Sequence, residues 1–90
     1  MKKRERLDVI NDILCSIRDS NGKIKPTRLL YSSNLSSIMF KDYVNELLKN
    51  GLIDETRDKK GKKYFIILDK GYDFIRKYSM FTEFVVNLGL

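Results

Sequence analysis

The side chains best suited to chemistry in this chain form a basic cluster at residues 57–63, RDKKGKK, with five positive charges and one negative charge. Like charges this close repel one another, and a solvated turn rarely needs so many of them. The cluster is typical of a hairpin tip that lies along a phosphate backbone or in a minor groove. The predicted contacts are Arg57, Lys59, Lys60, Lys62 and Lys63. The alternative hypothesis is a loop that is merely soluble.

A second candidate surface is the outer face of a helix that we predict over residues 36–50. Asn45 is suited to pairing with adenine and Ile38 to contact with a thymine methyl group, because the major groove presents both groups. Lys41 is better suited to holding a phosphate. Asp42 would accept a hydrogen bond from cytosine or pair with a neighbouring lysine. A solvated helix face also explains each of these residues singly.

Hydroxyl groups at two predicted helix starts form a third set. Thr27 lies at the start of a short helix, and Ser36 and Ser37 open a longer one. Hydroxyls and free backbone N–H groups at a helix start suit phosphate oxygens. Ordinary capping is the alternative, and the two roles are compatible.

The chain also begins with a basic leader at residues 1–6. Its positive charges are Lys2, Lys3, Arg4 and Arg6. A solvated, frayed terminus is the simpler hypothesis. The sharper hypothesis is an arm that touches phosphates.

The residue types present exclude most kinds of catalysis. The chain has no histidine and one cysteine, so Cys15 has no histidine base to activate it and is expected to fill space beside the core. The sequence has no paired-cysteine metal spacing and no glycine-rich phosphate loop, and its carboxylates are scattered among lysines and arginines. We therefore predict that the protein is not an enzyme and uses no cofactor or metal.

Composition and charge set the remaining limits. Ninety residues make one domain, and a net charge of +6 with a pI of about 9.5 favours an anionic partner. The single cysteine suits a reducing compartment, and the start lacks the apolar segment of a signal peptide. No apolar run approaches the ~20 residues of a membrane span. We expect a cytoplasmic, nucleoid-associated protein with no membrane partner.

Hydrophobic periodicity predicts the elements that must position these residues. A first helix is expected over residues 7–18, and the turn-forming residues 20–22 end it. Its predicted core face is Leu7, Ile10, Ile13, Leu14 and Ile17. Ile24 starts a short extended segment after the turn.

Two further helices with a tight polar turn between them predict a helix-turn-helix. Pro26 suits the first position of a short helix that runs to residue 32. In the longer helix over residues 36–50, Ser36 can cap the start, and Gly51 can take the left-handed conformation that ends it. The predicted inner face of that helix is Phe40, Tyr43, Val44, Leu47 and Leu48.

After the third helix the period changes from helical to strand-like. Residues 52–57 and 62–68 are predicted to be the arms of a hairpin, with residues 58–61 as its turn. Both faces of the second arm are apolar. We expect one face to meet the helices and the other to be covered by a C-terminal helix.

That final helix is predicted over residues 70–88, with Asp69 as its cap. Apolar residues at a four-three-four-three spacing form the seam of a coiled coil or of a helix packed on a core. They are Phe74, Tyr78, Phe81, Val85 and Leu88. From residue 79 to the end the only charged side chain is Glu83, so we expect a homodimer that buries this seam. The alternative is that the seam only covers the wing sheet of its own chain.

The order helix, helix, turn, helix, hairpin is that of a winged helix, and the residues resemble the small archaeal winged helix-turn-helix DNA-binding proteins. The resemblance spans about residues 7–78. Its motifs are Lys25, Thr27 and Arg28 with Leu29, Leu30 and Tyr31; Asn34, Leu35 and Ser36 with Tyr43, Leu47, Gly51, Leu52 and Ile53; and Lys70 and Gly71 with Phe74. The resemblance implies DNA contacts from Lys25, Thr27 and Arg28, and dimerisation through the last helix. The chain departs from the family at residues 37–39, which are less polar than usual.

The sequence thus predicts an α+β fold, in which a winged helix-turn-helix domain at residues 1–68 has three helices and a two-stranded β-hairpin wing. A C-terminal dimerisation helix follows at residues 69–90. The predicted function is a transcriptional regulator that binds double-stranded DNA as a homodimer. Helix 36–50 is expected in the major groove and wing 57–63 on the backbone or in the minor groove. A nonspecific chromatin-coating protein and a winged-helix protein–protein module are the alternatives.

Overall fold

The computed structural model describes residues 4–90, which fold into four α-helices and one three-stranded antiparallel sheet. The elements are α1 (Arg6–Asp19), β1 (Lys23–Ile24), α2 (Pro26–Ser33), α3 (Ser37–Lys49), β2 (Ile53–Arg57), β3 (Lys63–Ile67) and α4 (Asp69–Asn87). This order confirms the predicted winged helix-turn-helix class, with α2 and α3 as the helix-turn-helix and β2 and β3 as the wing. Within residues 4–90, no helix combines the length and the apolar character of a membrane span.

The sheet has one strand more than the two-stranded hairpin predicted from the sequence. β1 pairs with β3, which places Lys23 opposite Ile66 and Ile24 opposite Phe65 and gives the strand order β1-β3-β2. A segment of two residues is too short to show the alternation that identifies a strand. Its extended conformation is fixed by pairing with β3, which only the folded chain supplies.

The core lies between α1, α2, α3 and the inner face of the sheet. Its buried side chains are Val9, Ile10, Ile13, Leu14, Ile17, Ile24, Leu29, Phe40, Val44, Leu47, Leu52, Ile53, Phe65 and Ile67. The predicted stripe of α1 is therefore buried except at its start, where Leu7 is 53% exposed and Val9 joins the core instead. Leu7 lies in the first turn of α1, at an open groove against α4, and this position leaves it outside the core.

Both ends of α3 form as the sequence predicts. The Ser36 hydroxyl accepts a hydrogen bond from the Met39 backbone N–H at 3.2 Å, which satisfies one free donor of the first turn. At the other end Gly51 has a φ of +75°, and the Leu52 N–H donates to the Leu47 carbonyl at 3.0 Å. This is the left-handed stop that glycine adopts without strain, and it turns the chain directly into β2.

The start of α4 differs from the prediction that Asp69 caps it. Leu68 is the capping residue, and Asp69 is already the first helical residue, with no side-chain capping hydrogen bond. Leu68 is held in an extended conformation because its N–H donates to the Leu52 carbonyl at 3.0 Å. The helix therefore begins after it, and the Asp69 carboxylate suits the positive end of the helix dipole.

Lys70 and Gly71 fix α4 to the end of α3. The Lys70 ammonium donates to the Asn50 carbonyl at 2.8 Å, where the negative end of the α3 dipole favours a cation. A Cβ on residue 71 would lie 2.5 Å from the Leu52 carbonyl oxygen, so only glycine allows this close approach of the two backbones. The pair positions α4 relative to the helix-turn-helix.

Beyond its first turns α4 packs along α1, and Phe74 near its start is packed against the core. On the outer face of the sheet, Tyr64 and Ile66 are half-buried. The Lys23 ammonium lies over the Tyr64 ring, 4.6 Å from its centre. The outer sheet face is thus covered in part by a lysine and not by a helix.

Candidate nucleic-acid interface

The tip of the wing is a tight turn organised by one carboxylate. Asp58 Oδ1 accepts hydrogen bonds from the backbone N–H groups of Lys60 and Lys62, both at 2.9 Å, and the Asp58 N–H donates to the Lys62 carbonyl at 3.0 Å. These N–H groups, that of Lys62 foremost, hold the pKa of Asp58 below its ordinary value. Gly61 completes the turn with a φ of +81°. The only negative charge of the cluster therefore shapes the turn.

Three lysines extend from this turn into solvent. Lys59, Lys60 and Lys62 are exposed and form no ion pair among residues 4–90. Arg57 is also exposed, and its guanidinium donates to the Gly61 carbonyl at 2.8 Å. Unpaired cations at close spacing create a positive potential that favours an anionic partner.

Lys63, the fifth predicted contact of the wing, is separated from the other four. Its ammonium lies 3.0 Å from the Glu55 carboxylate and 5.4 Å from the centre of the Phe65 ring. Successive side chains of a strand point to opposite faces, so Lys63 shares the inner face of β3 with Phe65. Its charge is already paired, and it is therefore less available to a phosphate than the lysines of the turn.

The outer face of α3 is exposed as predicted. Ile38 is 77% exposed, and Lys41 and Asn45 follow on the same side of the helix. Asp42 is exposed too, and it forms no ion pair with a neighbouring lysine in the described part of the chain. The opposite face of α3 is buried, so these four side chains are among those that the helix presents to a partner.

The two helix starts that carry the remaining predicted contacts are also accessible. Lys25, Thr27 and Arg28 lie around the first turn of α2 and are exposed. Ser36 and Ser37 lie at the start of α3. The Ser36 hydroxyl is engaged in capping, whereas the Ser37 side chain is exposed.

Lys23 belongs to the same surface, although the sequence pattern did not single it out. Its charge contributes to the lowered pKa of Asp58 at the wing tip. It also lines one concavity with Lys25 and Arg28, so the basic surface continues from the wing to the start of α2. The signal was present in the sequence, because Lys23 and Lys25 flank the apolar Ile24 and must share one side of an extended segment.

The basic leader is arranged differently from the wing. The Arg4 guanidinium donates to the carbonyl at the end of α2 at 3.2 Å and lies 3.3 Å from the Asp12 carboxylate. Arg6 pairs with Glu46 of α3. Both arginines are thus engaged within the fold, and the two leading lysines, within residues 1–3, lie outside the described residues.

The predicted dimerisation residues of α4 divide into two groups. Phe74, Tyr78 and Val85 are half-buried, whereas Phe81 and Leu88 are 61% and 57% exposed. Further large apolar side chains toward the C-terminus are exposed as well, namely Met80, Phe84, Val86 and Leu90. Together with Leu7, the side chains of Tyr78, Phe81 and Val85 line an open apolar groove. The C-terminal half of α4 therefore exposes apolar side chains beside its groove with α1.

Other chemistry is limited in the part of the chain that the structure describes. Within residues 4–90, no three histidine, cysteine or carboxylate side chains lie close enough to hold a metal ion. Cys15 is a half-buried free thiol, and burial raises its pKa. The thiol therefore stays protonated and weakly nucleophilic near neutral pH.

Comparison with known proteins places this geometry among winged helices. A family model described as winged helix-turn-helix matches residues 3–85. A search of curated proteins finds no relative that matches the chain. Among solved structures, Sso10a-2, a DNA-binding protein from Sulfolobus solfataricus, has a TM-score of 0.75 and 24% identity, covering 94% of this chain and 85% of that one. F93 from STIV, a winged-helix DNA-binding protein, has a TM-score of 0.75 and 17% identity, covering 93% and 96%.

A third similar structure is a MarR family transcriptional regulator from Silicibacter pomeroyi DSS. It has a TM-score of 0.71 and 17% identity, and the match covers 89% of this chain and 54% of that one. At these identities the three structures show a shared fold. Together with the family match over most of the chain, they confirm the resemblance that the sequence indicates.

Proposed function

Because this chain belongs to the winged helix-turn-helix family, we propose that it binds double-stranded DNA and regulates transcription. The observation that carries the proposal is the set of lysines at the wing tip, Lys59, Lys60 and Lys62, which form no ion pair within residues 4–90 and adjoin the basic start of α2. A phosphate backbone is an extended anion that can neutralise both groups at once. The structural relatives from Sulfolobus solfataricus and STIV are described as DNA-binding proteins, which supports the same proposal.

In the proposed complex α3 lies in the major groove, and the wing lies along the backbone or in the minor groove. Residues near the start of a recognition helix are those that meet base edges, so Ile38, Lys41 and Asn45 are the proposed reading residues. The wing lysines, with Lys25 and Arg28, hold phosphates. Such contacts fix the position of the protein without reading the sequence.

The direct test is binding of the full chain to random-sequence duplex fragments while the salt concentration is raised. If ~4–6 phosphates are contacted, the logarithm of the binding constant should fall with the logarithm of salt concentration at a slope of about −4 to −5. Absence of binding even at low salt would overturn the proposal.

Regulation of transcription also requires a preference among sequences. Selection from a random duplex library should enrich particular sites, and Asn45→Ala should change the enriched sequence because it removes an amide suited to adenine. A protein that only coats chromatin would enrich no sequence. Its binding would respond to Asn45→Ala in the same way on every duplex.

We also propose that the chain forms a homodimer through the exposed side of α4. Phe81, Phe84 and Leu88 lie there at helical spacing, and burying each such side chain is worth about 1.5–3 kcal/mol. A second copy of the same surface is complementary to it under two-fold symmetry, and the two α3 helices would then meet half-sites about one helical turn apart.

Sedimentation equilibrium of two matched variants tests the homodimer. Phe81→Asp places a charge in the proposed interface and should give a monomer. Ser79→Asp adds the same charge at an exposed position about 160° around the helix, and it should leave the dimer intact. A wild-type monomer at high protein concentration would refute this part of the proposal.

A further inference from the structure

We infer that the start of α3 recognises the C5-methyl groups that thymine and 5-methylcytosine present in the major groove, with Ile38, Met39 and Tyr31 as the specificity-determining side chains. The inference rests on the proposed function, because it concerns how bases are recognised once duplex DNA is bound.

The first observation is an exposed apolar patch on the helix-turn-helix. Tyr31 is 89% exposed, Ile38 is 77% exposed and Met39 is 49% exposed. Tyr31 lines one concavity with Ser36 and Ser37, so its exposed surface on α2 adjoins the start of α3, where Ile38 and Met39 follow. None of the three side chains belongs to the buried core, and packing therefore does not explain them.

The position of the patch points toward DNA. Tyr31 lies one helical turn beyond Thr27 and Arg28 on the same side of α2, and these two residues are proposed phosphate contacts. Ile38 lies in the first turn of α3, which is the part of a recognition helix that meets base edges. The apolar side chains are therefore placed where bases, and not phosphates, would be met.

The side chains in the first turn of α3 restrict which group of a base they can recognise. Residues 37–40 are Ser, Ile, Met and Phe, so this turn has one hydroxyl and no charged or amide side chain with which to read hydrogen-bonding edges. The only apolar group that the edges of base pairs present in the major groove is the C5-methyl group. The apolar side chains of this turn are therefore suited to contact with the C5-methyl group.

The surrounding charges favour nucleic acid over a polypeptide as the occupant of the patch. Arg28 lies on the same side of α2 as Tyr31, and Lys41 lies one turn beyond Ile38 on α3. Neither cation forms an ion pair within residues 4–90. Apolar side chains with cations on the same helix faces match a duplex, where methyl groups lie between two phosphate backbones.

The test compares two duplexes that differ only in the methyl group. One is an alternating A·T duplex of roughly 21 base pairs, two helical turns, and the other replaces every thymine with deoxyuridine. The two duplexes carry the same phosphates and the same hydrogen-bonding edges. We expect the thymine duplex to bind at least about fourfold more tightly, the value of one buried methyl group, when measured by fluorescence anisotropy with the full chain.

Two variants assign the effect to the patch. Ile38→Ala should bring the affinity ratio of the thymine and deoxyuridine duplexes close to one, and Ile38 is exposed enough that the fold should tolerate the change. Lys59→Ala should weaken binding to both duplexes and leave the ratio unchanged, because it removes a phosphate contact.

An alternating G·C duplex should bind more tightly when its cytosines carry a 5-methyl group.

The outcomes separate this inference from the proposed function. Equal affinity for the thymine and deoxyuridine duplexes would overturn the inference and leave duplex binding intact. A thymine preference that survives Ile38→Ala would overturn the role of the patch. Absence of binding to either duplex at low salt would overturn the proposed function, and the inference with it.

Discussion

The basic leader at residues 1–6 and the wing tip at residues 57–63 have similar compositions and different surroundings. The leader carries four cations, and its two described arginines are engaged by Asp12, Glu46 and a backbone carbonyl. The wing carries five cations, and three of them extend from the turn without an ion pair in the described part of the chain. The net charge of +6 does not distinguish the two segments. A basic segment indicates an anionic partner where the fold leaves its charges unpaired.

The physical cause of the difference is the location of the carboxylates. The acidic partners of the leader lie on α1 and α3, which the fold brings next to Arg4 and Arg6. The wing has one carboxylate in its turn, and Asp58 uses it to accept backbone N–H groups. Lys59, Lys60 and Lys62 are therefore left without an acidic partner in the described part of the chain, whereas Lys63 pairs with Glu55 of β2.

The largest effect on DNA binding is expected when two positive charges are removed from the wing, and removal of two from the leader provides the comparison. The double change Lys59→Ala with Lys60→Ala should lower the salt slope of DNA binding by about 2 and weaken binding to all sequences alike. The double change Arg4→Ala with Arg6→Ala alters the net charge by the same amount. It should leave the slope nearly unchanged, because these arginines already have partners in the fold. The measurement is a salt titration of binding to random duplex fragments.

Stability provides the matching control for these two double variants. The leader variant should lower the thermal midpoint, since it breaks contacts of Arg4 and Arg6 with the folded chain. The wing variant should leave the midpoint unchanged or raise it slightly, because it relieves repulsion between like charges. If both double variants lower the salt slope equally, the distinction between leader and wing is wrong.

The sequence predicts the parts of this arrangement that depend on local interactions. The cap at Ser36 and the stop at Gly51 need only their own helix, and both form as expected. The pairing of Lys63 and the exposure of Leu7 depend instead on contacts with other elements. The Lys63 ammonium meets a carboxylate of β2, and the burial of Leu7 depends on what covers the groove between α1 and α4. Spacing along the chain does not contain that information.

The roles of β1 and of the leader could not be predicted from the sequence either, because both depend on contacts between distant residues. Lys23 enters the basic surface because two residues pair with β3, and so short a strand has no recognisable period. Arg6 is less available to a phosphate because it pairs with Glu46, forty residues later in the chain. Both outcomes follow from tertiary pairing, whereas the exposed cations of the wing turn follow from the turn itself.

An intermediate effect is expected from two substitutions of the carboxylate that shapes the wing. Asp58→Asn keeps an oxygen that can accept the N–H groups of Lys60 and Lys62, and it removes the negative charge from the wing. DNA affinity should rise a few-fold, since a unit charge about 4–6 Å from a phosphate is worth about 1 kcal/mol or less in water. Asp58→Ala removes the acceptor as well, so it should loosen the turn and lower affinity. Salt titrations of both variants provide the measurement.

Lowering the pH should disrupt the wing turn by protonating Asp58. The pKa of Asp58 is lowered in the folded chain, so its contribution to the turn is present above the ordinary carboxyl value of 3.8 and is lost as the pH falls through the folded value. The amide resonances of Lys60 and Lys62 should therefore shift with a midpoint below pH 3.8 in the wild type. They should not shift in Asp58→Asn. Loss of the turn at a higher pH would contradict the assigned hydrogen bonds.

The smallest effect is expected from the ion pair between Arg6 and Glu46. A double-mutant cycle with Arg6→Met and Glu46→Gln, measured by urea unfolding, should give a coupling of about 0.2–1 kcal/mol, because both side chains remain partly exposed to water. The coupling should shrink as salt is added, since screening acts on exposed charges. Arg6→Met alone should leave the salt slope of DNA binding unchanged. If the coupling is zero at low salt and Arg6→Met lowers that slope by about one, Arg6 contacts a phosphate and the leader functions in the same way as the wing.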